Sequence, residues 1–260
     1  MPQPVLSIVL PTYNRADVLP RSIASVLTQS YGDFELIIVD DGSTDGTSTM
    51  VQGINDARIK YIKLDGNRGQ SAARNVGIAA SKARLIAFQD SDDVWHPEKL
   101  EHQISALEAD AGLDGVYSDL RRVPNRGKPY VIKAPELIRG ASFDRRLSLY
   151  QSHSIGIQSC VLRKDMRCFE DLELLLRLAK NHRLQRIPLP LVDYFAPFGV
   201  SKDLTAQRRA RTILFQRYGY RAFSANWLGW SSELLCIAFL QLLCLGRTNR
   251  SKLRSDASTS

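Results

Sequence analysis

Apolar residues come in short uninterrupted runs through the first hundred positions, and each run stops at a turn-forming or acidic residue. Residues 5–10 are rich in β-branched side chains and end at Pro11, the pattern of a strand buried on both faces. Val18, Leu19, Ile23, Val26 and Leu27 then recur at helical spacing, which predicts a helix over 16–29. A second buried strand is predicted over 34–39, followed by a loop in which Ser43, Thr44 or Asp45 can cap a short helix over 47–53. A third strand over 59–64, a helix over 71–80 and a fourth strand over 85–88 continue the order. Strand, loop and helix repeated in this way predict parallel strands with right-handed crossovers, hence an α/β fold with an open, Rossmann-like, mostly parallel twisted sheet flanked by helices. The loops at Thr12, Asp40 and Asp90 then converge on one edge of that sheet.

Further along, a helix is predicted over 97–107, with Pro97 tolerated in its first turn, and a short strand over 116–119. Pro124, Gly127, Pro129, Pro135 and Gly140 turn the basic stretch 121–146 into loops with one hairpin. A strand over 155–162 and a helix over 170–180 follow, and Pro188 and Pro190 make 187–194 an edge strand or extended segment. The composition changes after residue 200, which divides the chain into a main domain over 1–200 and a basic, partly apolar helical C-terminal extension over 201–260. The apolar run 234–245 is shorter than the roughly 20 residues that span a bilayer. Trp227, Trp230, Arg247, Arg250, Lys252 and Arg254 around it fit either a helix lying on an anionic membrane surface through 227–254 or one packed on the core or a partner.

Charge sharpens the division. Residues 1–120 hold 10 Lys and Arg against 17 Asp and Glu, while residues 121–260 hold 25 against 10. A basic half suits a phosphorylated substrate, an anionic membrane or nucleic acid, but no nucleic-acid-binding motif accompanies it, so no nucleic-acid partner is expected. Cys160, Cys168, Cys236 and Cys244 form no CxxC pair and read as reduced thiols. No secretory signal is visible in the first residues, whose apolar run is too short, so a cytoplasmic location is expected.

One stretch carries an electrostatic demand. The run 85–88 ends in Gln89-Asp90-Ser91-Asp92-Asp93, three carboxylates within four positions. Carboxylates held this close repel one another, so some stay protonated or a hard divalent ion such as Mn2+ or Mg2+ neutralises them. In open α/β sheets the carboxyl ends of strands are where ligands sit.

Taken together, Leu10-Pro11-Thr12-Tyr13-Asn14-Arg15, Val39-Asp40-Asp41-Gly42-Ser43-Thr44-Asp45, Asn67-Arg68-Gly69, Ala73-Arg74-Asn75 and Asp90-Ser91-Asp92-Asp93 resemble the family 2 glycosyltransferases of the GT-A fold. These are inverting enzymes that use nucleotide-activated sugars. The resemblance implies a nucleotide-diphosphate sugar donor held by Pro11, Thr12, Tyr13 and Asp40, with Tyr13 stacking on the base and Asp40 accepting from its imide. Arg74, or Arg68, would meet the base or diphosphate. Asp90, Asp92 and Asp93 match the DxD-like motif that binds the ribose and a divalent metal, Asp92 and Asp93 being favoured for direct contact although the spacing admits either pairing. The pair Glu170-Asp171 matches the site of the general base, with Asp171 first and Glu170 second.

The resemblance also marks a departure: only residues 164–169 separate the strand from that pair, where relatives carry a longer segment with a Gly-Phe-Asp turn. Two functions remain in view. One is sugar transfer to a glycan or lipid-linked acceptor in cell-surface polysaccharide or glycolipid synthesis, in the cytoplasm or peripheral on the inner membrane face. The other is a catalytically impaired relative that binds a sugar nucleotide or forms a complex.

Overall fold

The computed structural model describes residues 3–136, 155–164 and 182–195. The predicted helix at 170–180 with Glu170 and Asp171, His153 and the extension 201–260 lie outside the described residues. Strands β1 (Leu6–Thr12), β2 (Phe34–Asp40), β3 (Ile59–Lys63) and β4 (Leu85–Phe88) pair in the order β3-β2-β1-β4, all parallel. Every residue of β1 and β4 is buried, as the unbroken apolar runs predict for strands covered on both faces. The sheet continues through β8 (Cys160–Arg163), β6 (Gly115–Val123), β9 (Leu184–Phe195) and β5 (Val94–Trp95), with β7 (Tyr130–Ile132) added to β6 as the predicted hairpin. β1 to β4, β6 and β9 point one way; β5, β7 and β8 point back, so the sheet is mostly parallel.

The helices are α1 (Leu19–Leu27), α2 (Thr47–Gln52), α3 (Gln70–Ala80) and α4 (Lys99–Ala109). α1 is shorter than the periodicity predicts, because the amides of Val18 and Leu19 both donate to Arg15 O and hold 16–18 as a turn. It turns Leu19, Ile23 and Val26 onto a core that includes Leu6, Ile8 and Leu10 of β1 together with Leu100, Ile104 and Leu107 of α4. α3 covers β1 and β2 from the opposite side. Its Gly77 lies so close to β1 that a Cβ there would collide with Val9 Cγ1.

Three strands depart from expectation. β8 begins at Cys160 and not at 155, because Ile157–Ser159 form a 3-10 turn in which the Ser159 amide donates to Gly156 O. β5 is two residues long, below what periodicity can register. β9 is an interior strand instead of an edge, parallel to β6 and antiparallel to β5. Its prolines are accommodated because the β6/β9 register shifts between Ser118 and Leu120, opposite Pro188 and Pro190, where ladder bonds are already interrupted.

Beneath β5 lies a buried lysine. Lys99, in the first turn of α4, is 0% exposed; its Nζ donates to Gln103 Oε1 at 2.6 Å and lies 3.8 Å from the Trp95 ring centroid. Gln103 passes the connection on by donating to Ser159 O at 2.7 Å, beside β8. Burial depresses the Lys99 ammonium to about 7, and burial raises the neighbouring Cys160 thiol to about 11.

Two outcomes follow from this packing. In Gly77→Ala, overpacking against Val9, about 1–3 kcal/mol, opposes a helix-propensity gain of about 1 kcal/mol, so urea unfolding should report a net loss of up to about 2 kcal/mol and no gain. The folded chain holds the Lys99 proton more weakly than the unfolded chain, whose lysine titrates at its ordinary 10.5, so stability should rise with pH from about 7 upward. Above the ordinary thiol value of 9.0 the sign reverses for Cys160, which keeps its proton longer when folded, so its contribution falls with pH there. Urea midpoints measured from pH 7 to 9 should therefore climb in the wild type and stay flat in Lys99→Met; a wild-type midpoint that falls over this window contradicts the assignment.

Candidate functional site

The chain runs outward from β1 through β2 to β3 and then returns to place β4 on the other side of β1. This is a topological switch point, where the loops leaving two neighbouring strands part and open a crevice. Thr12 at the end of β1, Asp40 at the end of β2 and Asp90 just beyond β4 all lie at this carboxyl edge, as the strand pattern predicts.

The first two loops are stitched together. Asn14 has φ 51°, a left-handed conformation that Asn tolerates better than most residues. From there its Oδ1 accepts the amides of Thr44 at 2.8 Å and Asp45 at 3.4 Å, while its own amide donates to Ser43 Oγ at 2.9 Å. The amides of Arg15 and Ala16 donate to Thr47 Oγ1 and Asp45 Oδ2, both at 3.1 Å. Pro11 is buried within β1, Thr12 is buried with an Oγ1 that has no hydrogen-bond partner among the described residues, and Tyr13 is left 41% exposed. An open aromatic ring beside a buried, unsatisfied hydroxyl is suited to a planar polar ligand.

Asp40 is fully buried. Its Oδ1 accepts the Ser43 amide at 2.7 Å and its Oδ2 accepts the Tyr61 hydroxyl, a partner the sequence does not single out. Burial, followed by the bond to Asp40, lifts the Tyr61 phenol to about 12, so it serves as a standing donor. Asp41 holds the third loop by accepting the amides of Arg68 at 2.8 Å and Gly69 at 2.7 Å. Gly42 between these contacts has φ 80°, and a Cβ there would stand 2.7 Å from the backbone of Gly66, so only glycine fits. Gly69 caps α3, whose first two turns present Gln70 and Arg74 to Asp90: Arg74 donates to Asp90 Oδ1 at 2.7 Å and Gln70 reaches it at 3.3 Å. Arg74 is buried and committed to that carboxylate, whereas Arg68 is exposed.

The acidic turn is clamped by its backbone. Ser22 donates to Asp90 O at 2.9 Å, Arg21 to Asp92 O at 2.7 Å, and Gln89 to Asp93 O at 2.8 Å. The three carboxyls differ in setting. Asp90 and Asp92 are partly exposed, while Asp93 is 0% exposed, its Oδ1 accepting the Phe195 amide at 3.1 Å and its Oδ2 without a close hydrogen-bond partner among the described residues. Burial first, then the charge of Asp90, raises Asp92, against the opposing pull of Arg15 and Arg21. Asp93 is raised further by burial and by the charges of Asp90 and Asp92, in spite of the Phe195 amide and the Gln158 side chain. Tyr194, at the end of β9, is raised by burial and then by the Asp93 charge, which places its phenol within the field of the cluster.

A hard dication placed beside such a group would relieve both the repulsion and the unfavourable burial. Among the described residues no set of three or more His, Cys, Asp or Glu side chains forms a metal cage. A dication here would therefore draw its remaining oxygens from a ligand and water, the habit of Mg2+ with phosphates. His96 stands apart. Its Nε2 lies 3.1 Å from Asp193 Oδ1, and Arg121 donates to the same carboxylate at 2.6 Å. Although burial pushes Asp193 up, these bonds outweigh it and hold the carboxyl below its ordinary range, a structural ion pair between Arg121 of β6 and Asp193 of β9 with His96 as a further partner. Among the described residues no helix is long and apolar enough to cross a membrane.

Comparison with known proteins agrees with this geometry. Over 159 residues the chain is 35% identical to the succinoglycan biosynthesis protein ExoO of Rhizobium meliloti, covering 59% of this chain and 46% of that protein. Over 103 residues it is 42% identical to the UDP-Glc:alpha-D-GlcNAc-diphosphoundecaprenol beta-1,3-glucosyltransferase WfgD of Escherichia coli, covering 40% of this chain and 41% of that one. The chain thus spans less than half the length of these curated relatives. The fold matches the mannosyltransferase PcManGT of Pyrobaculum calidifontis, solved in complex with GDP-Man and Mn2+, with a TM-score of 0.54 at 17% identity over 80% of this chain and 61% of that one. The GT-A arrangement expected from the sequence is the fold found. Residues 7–167 match the family model described as glycosyl transferase family 2, and the chain belongs to that family.

Proposed function

We propose that the protein transfers a sugar from a nucleotide-diphosphate donor to an acceptor hydroxyl, with inversion, in the synthesis of a cell-surface polysaccharide or glycolipid. The observation that carries this reading is the crevice at the β1/β4 switch point, where the exposed Tyr13, the buried Thr12 and Asp40, and the Asp90 to Asp93 turn share one edge. Tyr13 would stack on the base, and Asp40, already oriented by Tyr61 and Ser43, would accept from its edge. Asp92, with Asp90 as second carboxylate, would hold Mn2+ or Mg2+; the burial of Asp93 suits it better to holding Phe195. When bound, the ion supplies Lewis-acid stabilisation of charge on the diphosphate. Arg74 fixes Asp90 through their 2.7 Å ion pair and supports the cluster from behind.

The transfer itself needs a base. Asp171, with Glu170 as second choice, would take the proton of the acceptor hydroxyl as that oxygen bonds to the anomeric carbon. The bond from the anomeric carbon to the diphosphate breaks on the opposite face, and its electron pair leaves with the nucleoside diphosphate. The basic second half of the chain, and the diphosphoundecaprenol acceptor in the name of the Escherichia coli relative, support a lipid-linked acceptor met at the inner membrane face. Peripheral contact through 227–254 would bring the protein there. A second reading rests on the short segment 164–169, which brings Glu170 and Asp171 close to β8 in the chain. On that reading the chain binds the donor without turnover.

A thermal-shift screen of nucleotide sugars with and without Mn2+ tests donor binding, because a ligand of the native state raises the melting temperature. One nucleotide sugar should stabilise the wild type, more so with Mn2+, and Asp92→Ala should lose the Mn2+-dependent part; no shift with any donor rules out both readings. In Asp171→Asn the donor-induced shift should persist while transfer to a lipid-diphosphate sugar falls by a factor of about 10²–10⁴, the usual weight of a general base. Donor binding by the wild type with neither hydrolysis nor transfer would select the second reading.

A further inference from the structure

Four large apolar side chains are strongly exposed among the described residues, and two of them, Tyr130 at 53% and Val131 at 46%, are neighbours on β7. Of the others, Tyr13 belongs to the donor loop and Leu189 lies at the β9 register shift. β7 closes a hairpin with β6 through residues 124–129, in which Pro124 and Pro129 restrict the backbone and Gly127 turns it at φ 99°. From 121 to 133 the chain carries Arg121, Arg122, Arg126, Lys128 and Lys133 and no acidic residue. Arg121 is taken by Asp193, but Arg126, Lys128 and Lys133 are exposed and have no acidic partner among the described residues. Tyr130 stands on the face of the hairpin that carries Arg122 and Val131 on the face that carries Arg121, so both reach a surface that the hairpin meets tip-first, each beside exposed cations. The same set suits the boundary of an anionic bilayer, where apolar side chains enter the acyl margin and cations meet phosphate headgroups.

Position favours that partner. β6 points the same way as β1 and β4, so the hairpin projects from the sheet edge that carries the crevice. In register, Arg122 pairs with Tyr130 of β7 on one side and with Tyr194 of β9 on the other, and its guanidinium stands 5.6 Å from the Tyr194 ring centroid. A row of Tyr130, Arg122 and Tyr194 thus runs from the hairpin toward the acidic turn, whose charges reach Tyr194. A bilayer against the hairpin would lie at the open end of that row.

We propose that the β6–β7 hairpin is the surface through which the protein docks on an anionic phospholipid bilayer, with Tyr130 and Val131 in the interface and Arg126, Lys128 and Lys133 on the headgroups. The proposal rests on the reading of a membrane-borne acceptor, but it assigns the contact to a different part of the chain from 227–254.

The test is sedimentation of the full chain with vesicles of phosphatidylcholine alone and of phosphatidylcholine with phosphatidylglycerol. The wild type should sediment with the anionic vesicles only, and less at high salt. Each basic residue near an anionic leaflet is worth about fivefold in partitioning, so Arg126→Glu/Lys128→Glu/Lys133→Glu should weaken binding at least about tenfold even with the C-terminal stretch intact. Tyr130→Ser/Val131→Ser should weaken it several-fold, and both variants should keep the donor-induced thermal shift. An environment-sensitive dye on Tyr130→Cys, corrected for labelling of the unsubstituted chain, should shift to the blue with anionic vesicles and decides the matter should the multiple variants not fold. Wild-type binding by the triple variant, or an unshifted dye on vesicle-bound protein, overturns the hairpin and leaves the membrane-borne acceptor standing. Failure of the wild type to bind vesicles overturns the membrane contact altogether, without touching donor binding. Equal retention of the wild type on duplex DNA at the same salt makes the hairpin a general polyanion site and also overturns the proposal.

Discussion

Carboxylate repulsion at the turn after β4 is the constraint around which the rest of the crevice is arranged. Asp90, Asp92 and Asp93 cannot all be charged and dry at once, so each is given a different remedy. Asp90 receives Arg74 from α3, Asp92 keeps access to solvent and the weaker pull of Arg15 and Arg21, and Asp93 is withdrawn among Phe195 and Gln158. Residues of α1, α3, β9 and the turn before β8 therefore converge on these four positions. The charge balance of this turn is what ties the half built from β1 to β4 to the half containing β8 and β9.

The remaining loops are held by side chains acting on backbone amides instead of by packing. Asn14 and Asp45 join the first loop to the second, and Asp41 joins the second to the third. A crevice assembled in this way can leave Tyr13 exposed without leaving it mobile at its root, since the residues on either side are bound to β-strand ends or to a neighbouring loop.

Much of the first half is legible in the sequence because its signals are local. An unbroken apolar run such as 85–88 describes a strand covered on both faces, and an acidic stop describes its carboxyl end. Distance along the chain sets the limit. Nothing in Asp90-Ser91-Asp92-Asp93 distinguishes the third carboxylate, because the amide that buries it belongs to Phe195, 102 positions away. Tyr61 carries no signal of its own for the same reason: its hydroxyl matters only because the β2/β3 register sets Tyr61 beside Ile38 and Asp40 beside Lys63. The sequence makes β9 an edge since its prolines are a local signal and the register shift that absorbs them is not. Glu170, Asp171 and the extension remain readings of sequence, outside the described residues.

The shift between β6 and β9 bears on how this half of the sheet can change by insertion and deletion. Beyond it, Arg121 faces Asp193, Arg122 faces Tyr194 and Val123 faces Phe195. Side chains alternate between the two faces of a strand, so losing a single residue from 188–191 would slide every later one to the wrong side. Arg121 would then meet Tyr194 in place of Asp193, and the Phe195 amide would move about 3.3 Å along the strand, away from Asp93. The bulged segment 188–191, despite its prolines and the exposed Leu189, is thus constrained in length even where it is free in composition.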